Sequence, residues 1–395
     1  MKPGSLSGRE VFLVDGLRTA IGSPFRGLKK FTAVQLAAVV IEGILHRNKL
    51  KSESAEEVIL GNAVLAGLGQ NPARQAAVLA GLPVSVPGLT VSNVCGSGLQ
   101  SVILGLQSIL CGEFGIIVAG GSESATQSPY LIRKDIPEKK IPGNLIDSLI
   151  FDGLWCPLTG KRMGELSDQM ARQFSISRLR QDAYALESHF RALRATAQGR
   201  FQKEIVPVFL TKNKVFDQDE RPRKDIDLKK LQALKAVFSS NGTATAGSAS
   251  VPCDGAAMVL LASEEAVRQY KLKPKARILG YASVALEPEM VFAGSVNSIL
   301  ACLQNARLSL RDIDLFEIGE AFATQPLFAM EQLKLSDDKI NLFGGDIALG
   351  HPFGAAGARI LVTLLHSLRD QKRKRGVASV CLGGGGSVAM AIEVL

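Results

Sequence analysis

VSNVCGSGLQSVILGLQSIL, residues 91–110, sets Cys95 in a small glycine-containing turn and follows it at once with an apolar run at helical spacing. A cysteine so placed sits at a helix N-terminus, where free amide donors and the positive end of the helix dipole favour a thiolate over a thiol. The arrangement recurs near the C-terminus, where ALGHPFGAAGARILVTLLHSL from Ala348 echoes NVCGSGLQSVILGLQSIL. IDLFEIGEAF from Ile313 echoes EEVILGNAV from Glu56, and VASVCLGGGGS from Val377 echoes IIVAGGSES from Ile116. Each half thus offers a reactive-type residue at a Gly-rich turn, an apolar helix and a buried strand ending in glycines. An internal duplication is expected. Strand-like runs (VFLVDG from Val11, VILGNAV from Val58, FGIIVAGG from Phe114) alternate with helical patterns such as FTAVQLAAVVIEGIL from Phe31, which makes the architecture α/β and layered.

A chain of 395 residues is too long for one ordinary core and fits two or three domains, or two similar halves packed together. Between the halves, residues 126–247 change texture to polar and charged helical segments broken by Pro and Gly, including IPEKKIPGN and KNKVFDQDERPRKD. MARQFSISRLRQDAYALESHFRALRATAQ, residues 170–198, reads as one helix within it. The region is expected to cap the duplicated core, where loops form pocket walls.

The net charge of +9 is spread rather than tailed. Solvated loops account for the basic clusters at residues 372–375 and at Lys139 and Lys140, and a phosphate-bearing small ligand would account for residues 221–224. Aromatic residues are only 6% of the chain and no run interleaves them with Lys/Arg, which disfavours nucleic acid. The six cysteines form no CxxC pair and only four histidines occur, so no metal site is expected, and a reduced compartment fits best. MKPGSLSGREVFLVDG enters a strand too early for a leader, and no run of about 18 uninterrupted apolar residues exists to span a membrane, so a cytoplasmic location is expected.

Cys95, His351 and Cys381 each sit in a glycine-flanked turn beside an apolar element. Singly, each has an ordinary explanation: a buried cysteine that packs, or a loop histidine satisfied by backbone. Together they describe chemistry. A cysteine nucleophile needs a base, usually a histidine, and a second cysteine without disulfide chemistry suits a proton carrier. Carbon–carbon bond formation beside a thioester also needs donors for enolate and tetrahedral oxyanions, each contributing roughly 3 kcal/mol. Gly383 to Gly386 after Cys381 allow backbone amides to approach a ligand closely. Other readings fare worse. Neither GLGQNP nor GGGGS forms a dinucleotide fingerprint, and Ser97 is no hydrolase elbow because Cys95 stands where that motif needs glycine. His46, His189 and His366 are expected on surfaces or in helix packing, and Cys111, Cys156, Cys253 and Cys302 in packing, with Cys156 near the pocket.

CGSGLQ at Cys95, EAFATQ at Glu320, ALGHPFGAAGARI at Ala348 and CLGGGG at Cys381 resemble the signature blocks of thiolases. So do NPARQAAVLAGLP at Asn71, DGLW at Asp152, the Arg162, Met163, Gly164 step and TAGSAS at Thr245, in order along nearly the whole chain. The resemblance implies two βαβαβαββ halves (residues 1–125 with 248–272, and 273–395) in a five-layered α-β-α-β-α core, with residues 126–247 as an inserted loop domain. It implies that Cys95 is acylated, that His351 activates it, and that Cys381 moves the proton of the second acyl group's α-carbon. The backbone N–H groups of Cys95 and Gly383 would form one oxyanion hole, and His351 would serve the other. Coenzyme A contacts would fall at Leu154, Met163, Arg223, Ser250 and Phe322.

The sequence departs from the family pattern at several positions. Thiolases usually read Asn-Glu-Ala-Phe where this chain has Gly319, and that Asn holds a water of the enolate's oxyanion hole. Arg162 replaces a histidine, Val291 and Phe292 belong to an altered Met-Gly-x-Gly-Pro-x-Pro segment in which Phe292 must change a wall, and Ser92 and Ser387 are further changes expected around the substrate. The expected activity is ping-pong acyl transfer between CoA thioesters, in the simplest case two acetyl-CoA to acetoacetyl-CoA and CoA, with no other cofactor. Thiolysis of longer 3-ketoacyl-CoA in fatty-acid β-oxidation is the nearest rival, and a thiolase-like acyl-CoA binder with little turnover a further one. A decarboxylating ketoacyl synthase would pair its cysteine with two histidines, which Cys381 argues against. The resemblance also implies a homotetramer built as a dimer of dimers.

Overall fold

A computed structural model describes residues 10–135 and 144–395, so the readings made on the N-terminal stretch before Glu10 and on Lys139 and Lys140 fall outside the described residues. The first half runs β1 (Val11–Thr19), α1 (Ala33–Arg47), β2 (Glu57–Gly61), α2 (Pro72–Leu79), β3 (Gly88–Val91), α3 (Ser97–Cys111), β4 (Ile116–Ser124) and, after the intervening region, β5 (Asp254–Ser263). In that region lie α4 (Met163–Gln173) and α5 (Arg178–Ala197). The second half repeats the order as β6 (Ala276–Ala285), α6 (Gly294–Ala306), β7 (Leu315–Ile318), α7 (Thr324–Leu333), α8 (Phe353–Asp370), β8 (Arg375–Leu382) and β9 (Gly386–Val394). Its counterpart of β3 is reduced to a single parallel bridge between Phe316 and Ile340.

The strands follow the order β7-β8-β9-β6-β1-β5-β4-β2-β3, with β1 and β6 joined through only two residue pairs, Phe12 with Arg277 and Leu13 with Ala276. That narrow seam lets the two half-sheets face each other. Helices α3 and α8 fill the space between them, their Leu99, Val102, Leu361 and Leu365 packing with Val259 of β5 and Met390 of β9. The outer face of the first half-sheet carries α1 and α2, and that of the second carries α6 and α7. Strand β5 shows why the sequence demands this layering: Ala257, Val259 and Leu261 point to the central helices while Ala256, Met258 and Leu260 point to the outer pair. A strand apolar on both faces requires cover on both. The window Val94–Cys111 has a mean hydropathy of 1.5, high enough for a bilayer by composition, but it is largely buried as the central α3 and its N-terminal turn.

The expected helix over residues 170–198 is two helices. Ser175 turns left-handed at φ 54° after α4, and the Ser177 side chain accepts the N–H of Arg180 to start α5 anew. Both serines prefer such local bonds to a helix interior. The region is tied to the core by Arg18 of β1, wholly buried, which donates to Glu204 at 2.6 Å and to both oxygens of Asp219 at 2.7 and 3.0 Å.

The first turn of α8 lies directly on β4. A Cβ at Gly121 would stand 1.9 Å from the Gly354 carbonyl oxygen, and backbone cannot yield there as a side chain would. Gly121→Ala is therefore expected to cost about 3 kcal/mol or more, read as a fall in the urea midpoint. An unchanged midpoint would refute the packing described.

Candidate active site

Cys95 lies between β3 and α3 in a turn that the chain strains to make. Val94 is at φ 47°, a left-handed conformation that β-branched residues rarely adopt. Ser97 locks the turn, accepting the Asn93 N–H at 2.8 Å and donating to the Val94 carbonyl at 2.6 Å. The thiol is thereby held at the start of α3, half-buried.

His351 follows Gly350, whose φ of 101° excludes other residues, and precedes α8. Its N–H donates to the Val251 carbonyl at 2.9 Å and its carbonyl accepts the Cys253 N–H at 3.3 Å, so the backbone is clamped on both sides. The ring is 2% exposed, edge-on to Phe353. Its Nδ1 lies 3.4 Å from Asp346 Oδ2, and its imidazole interacts with Cys95. Among the described residues neither nitrogen finds a well-aligned hydrogen-bond partner, which leaves the ring able to meet a ligand. Burial alone would lower its pKa, but the charges of Asp346 and Cys95 prevail and raise it to about 10.

Cys381 is on β8, opposite Ser387 of β9, and 3% exposed. Burial, then the nearby Cys95 and Asp346, push its thiol well above the ordinary value. Beyond it, Gly384 and Gly385 take φ of 87° and 91° and turn the chain into β9.

The three residues line one cavity with about 40 Å³ of room for water-sized groups, together with Gly383, Leu154, Met163, Ser250 and Phe322. Phe292 forms part of its wall, stacked edge-on against Phe322 at 5.4 Å. Arg223 lies apart from it, exposed, its N–H donating to Nδ1 of buried His189, which burial and then Arg223 and Arg221 push down to about 4. Neighbouring Arg221 packs against Gly350, so the basic cluster borders the strand of chain that carries His351.

Some expectations need correction. Ser387 does not face the cavity: it is buried, bonded to Ser298 and donating to the Val380 carbonyl, because its position on β9 points into the α6 layer. Val291 is likewise packed in the outer core, and Arg162 is an exposed residue at the start of α4 whose N–H meets Glu165. Ser92 lines an adjoining cavity of about 520 Å³. Cys111 is exposed at the end of α3 rather than packed, whereas Cys156, Cys253 and Cys302 are buried. Cys156 does not line the catalytic cavity. His366 is a packing residue bonded to the Gly16 carbonyl, and His46 is exposed. Sequence reasoning missed Asp346 altogether, although an acid inside the apolar run GGDIALG, just before His351, was a visible signal.

Residues 11–265 match the family model of the thiolase N-terminal domain, and residues 272–394 that of the thiolase C-terminal domain. The chain belongs to the thiolase family. Among its thiolase relatives, an acetyl-CoA acetyltransferase of Chromobacterium violaceum is 44% identical over 390 residues, 97% of this chain and 99% of that one. An acetyl-CoA acetyltransferase of Escherichia coli is 44% identical over 388 residues, 97% of this chain and 98% of that one. The crystal structure of the Bacillus anthracis acetyl-CoA acetyltransferase superposes with a TM-score of 0.94 at 37% identity, covering 99% of this chain and all of that one. A thiolase of Ascaris suum in complex with coenzyme A gives 0.92 at 37% identity over 98% of this chain and 100% of its own. The layering of this thiolase, with two half-sheets around α3 and α8, is thus the thiolase fold, and its cysteine pair and histidine occupy the cleft that this fold builds from both halves.

Proposed function

We propose that the protein is an acetyl-CoA C-acetyltransferase, joining two acetyl groups or cleaving acetoacetyl-CoA through an acyl-Cys95 intermediate. The observation that carries this reading is the convergence of Cys95, His351 and Cys381 on one small cavity. Cys95 Sγ attacks the thioester carbonyl, and the N–H groups of Cys95 and Gly383 receive the oxyanion. The bond to CoA sulfur breaks, and His351 gives that sulfur its proton. His351 then takes a proton from Cys381, whose thiolate removes one from the α-carbon of the second acetyl-CoA. The carbanion attacks acetyl-Cys95, Cys95 leaves as thiolate, and the site returns to its starting protonation. The high pKa of Cys381 suits this step, since only a strong base matches so weak a carbon acid.

Leu154, Met163, Ser250 and Phe322 would hold the pantetheine arm beneath the cap of residues 126–247, and Arg223 the nucleotide end. The bound coenzyme A of the Ascaris suum thiolase supports CoA thioesters as substrates. The same reading takes the working particle as a homotetramer. Purified protein should consume acetoacetyl-CoA and CoA with loss of the enolate absorbance. No loss with this or any longer 3-ketoacyl-CoA would contradict it.

A second reading, thiolysis of longer 3-ketoacyl-CoA, is favoured by the adjoining 520 Å³ cavity, which meets the catalytic one at Gly153, Met163 and Gly383 and is walled by Leu65, Val94, Phe151 and Trp155. Rates across a chain-length series separate the two. Phe292→Ala would remove a wholly buried ring from the wall. It is expected to raise the kcat/KM ratio of six-carbon over four-carbon substrate by about tenfold. An unchanged ratio would free Phe292 of any part in chain-length choice.

A further inference from the structure

Gly319 stands where thiolases usually carry an asparagine, yet the space beside it is occupied. A Cβ at 319 would lie 3.2 Å from Val380 Cγ2, 3.6 Å from Gln325 Nε2 and 3.7 Å from Asp346 Oδ2. Two polar side chains, both fully buried, therefore stand within contact of position 319. Gln325 is committed elsewhere, donating to Ser295 at 2.9 Å. Asp346 is aimed at the reaction. Its Oδ2 accepts the Glu320 N–H at 2.9 Å and lies 3.4 Å from His351 Nδ1, while its Oδ1 accepts from Arg359 Nη2 at 2.5 Å. The carboxylate is thus held by two hydrogen bonds, with His351 Nδ1 standing beside it.

We infer that Asp346 is a positioning residue of the reaction, holding His351 through Nδ1 and keeping the imidazole protonated towards Cys95 and the substrate. The inference rests on the acyl-transfer reading above. It sets a carboxylate beside an imidazolium that in turn meets Cys95, backed by the Arg359 guanidinium on α8. His351 then enters the cycle already charged. The departing CoA sulfur finds an acid in place.

The surrounding charges agree with this assignment. Burial alone would raise the Asp346 carboxyl, but Arg359 and His351 hold it below the usual carboxylate range. Facing the pair are also Glu317 and Glu320 from β7 and its exit, both pushed up by burial, the Cys253 thiol, pushed up to about 12, and Cys381 from β8. Asp346 is therefore the ionised carboxyl nearest the imidazole, and its neighbours lean towards their neutral forms.

The chain's four histidines make the test direct, since each imidazole can be followed by NMR of histidine-labelled protein, with His351→Ala giving the assignment. In the wild type the His351 signal should remain that of an imidazolium above pH 8, while His189 is neutral throughout. In Asp346→Asn it should titrate more than about one pH unit lower, with kcat down at least about tenfold and KM changed less than about twofold. Should that variant fail to fold, because Arg359 is left a buried unpaired charge, the wild-type titration still decides. A His351 that titrates below pH 7 in the wild type, or at the same pH in Asp346→Asn, overturns the inference. A wild type inert towards acetoacetyl-CoA and every longer 3-ketoacyl-CoA would instead overturn the acyl-transfer reading, whatever His351 does.

Discussion

Cys95→Ala should abolish acyl transfer, lowering kcat by at least about 10⁴-fold, while leaving the fold and the CoA affinity close to those of the wild type. The methyl group of alanine fits wherever the cysteine Cβ already sits, and Cys95 is only half-buried, so little packing is lost. The turn that presents it is held by Ser97 and by the backbone, neither of which the substitution touches. What disappears is the sulfur that carries the acyl group between the two half-reactions, and nothing else in the cavity can replace it. Cys381 is the other thiol lining it, but that thiol is held far above neutrality by burial, so it is a poor nucleophile for the first thioester. Steady-state rates with acetoacetyl-CoA and CoA, set beside calorimetric binding of CoA, test this. Activity within about tenfold of wild type would remove Cys95 from the nucleophile's role.

Cys381→Ala should divide the reaction. Acylation of Cys95 by acetyl-CoA should proceed, because the nucleophile, the imidazole and the Cys95 and Gly383 amides are all retained. Condensation and thiolysis should both fall by about 10²-fold to 10⁴-fold, the usual worth of a positioned acid or base. The small residue left behind in a cavity of about 40 Å³ makes room for a water, which is a weaker base than a thiolate. Rapid-quench trapping of acetyl-enzyme, compared with the rate of acetoacetyl-CoA formation, separates the half-reactions. Loss of both together would place Cys381 in acylation rather than in proton transfer at carbon.

The three reacting side chains were legible in the sequence because each is announced locally: a cysteine before a helix, a histidine in a glycine-flanked turn, a cysteine at the end of a buried strand. The layers were legible for a related reason, since β5 is apolar on both faces and α3 and α8 are apolar enough to lie between sheets. What the sequence hid is tertiary. The break between α4 and α5 depends on two serines whose spacing looks helical until Ser177 is seen capping Arg180. Ser387 looked like a change at the substrate, and only the register of β8 with β9 turns it towards Ser298. Gly319 was read only as a lost asparagine, because the Asp346 that stands beside it comes from another segment and is held there by Arg359 of α8. Contacts of this kind have no signature at any fixed spacing.

The central claim is that one sulfur, Cys95, carries the acyl group while the second moves protons. Brief exposure of the protein to acetyl-CoA, followed by acid quench and mass-spectrometric peptide mapping, tests it most directly. The account predicts a single acetyl group, on the peptide that contains Cys95, in the wild type and in Cys381→Ala alike. An acetyl group found on Cys381, or persisting in Cys95→Ala, would contradict it.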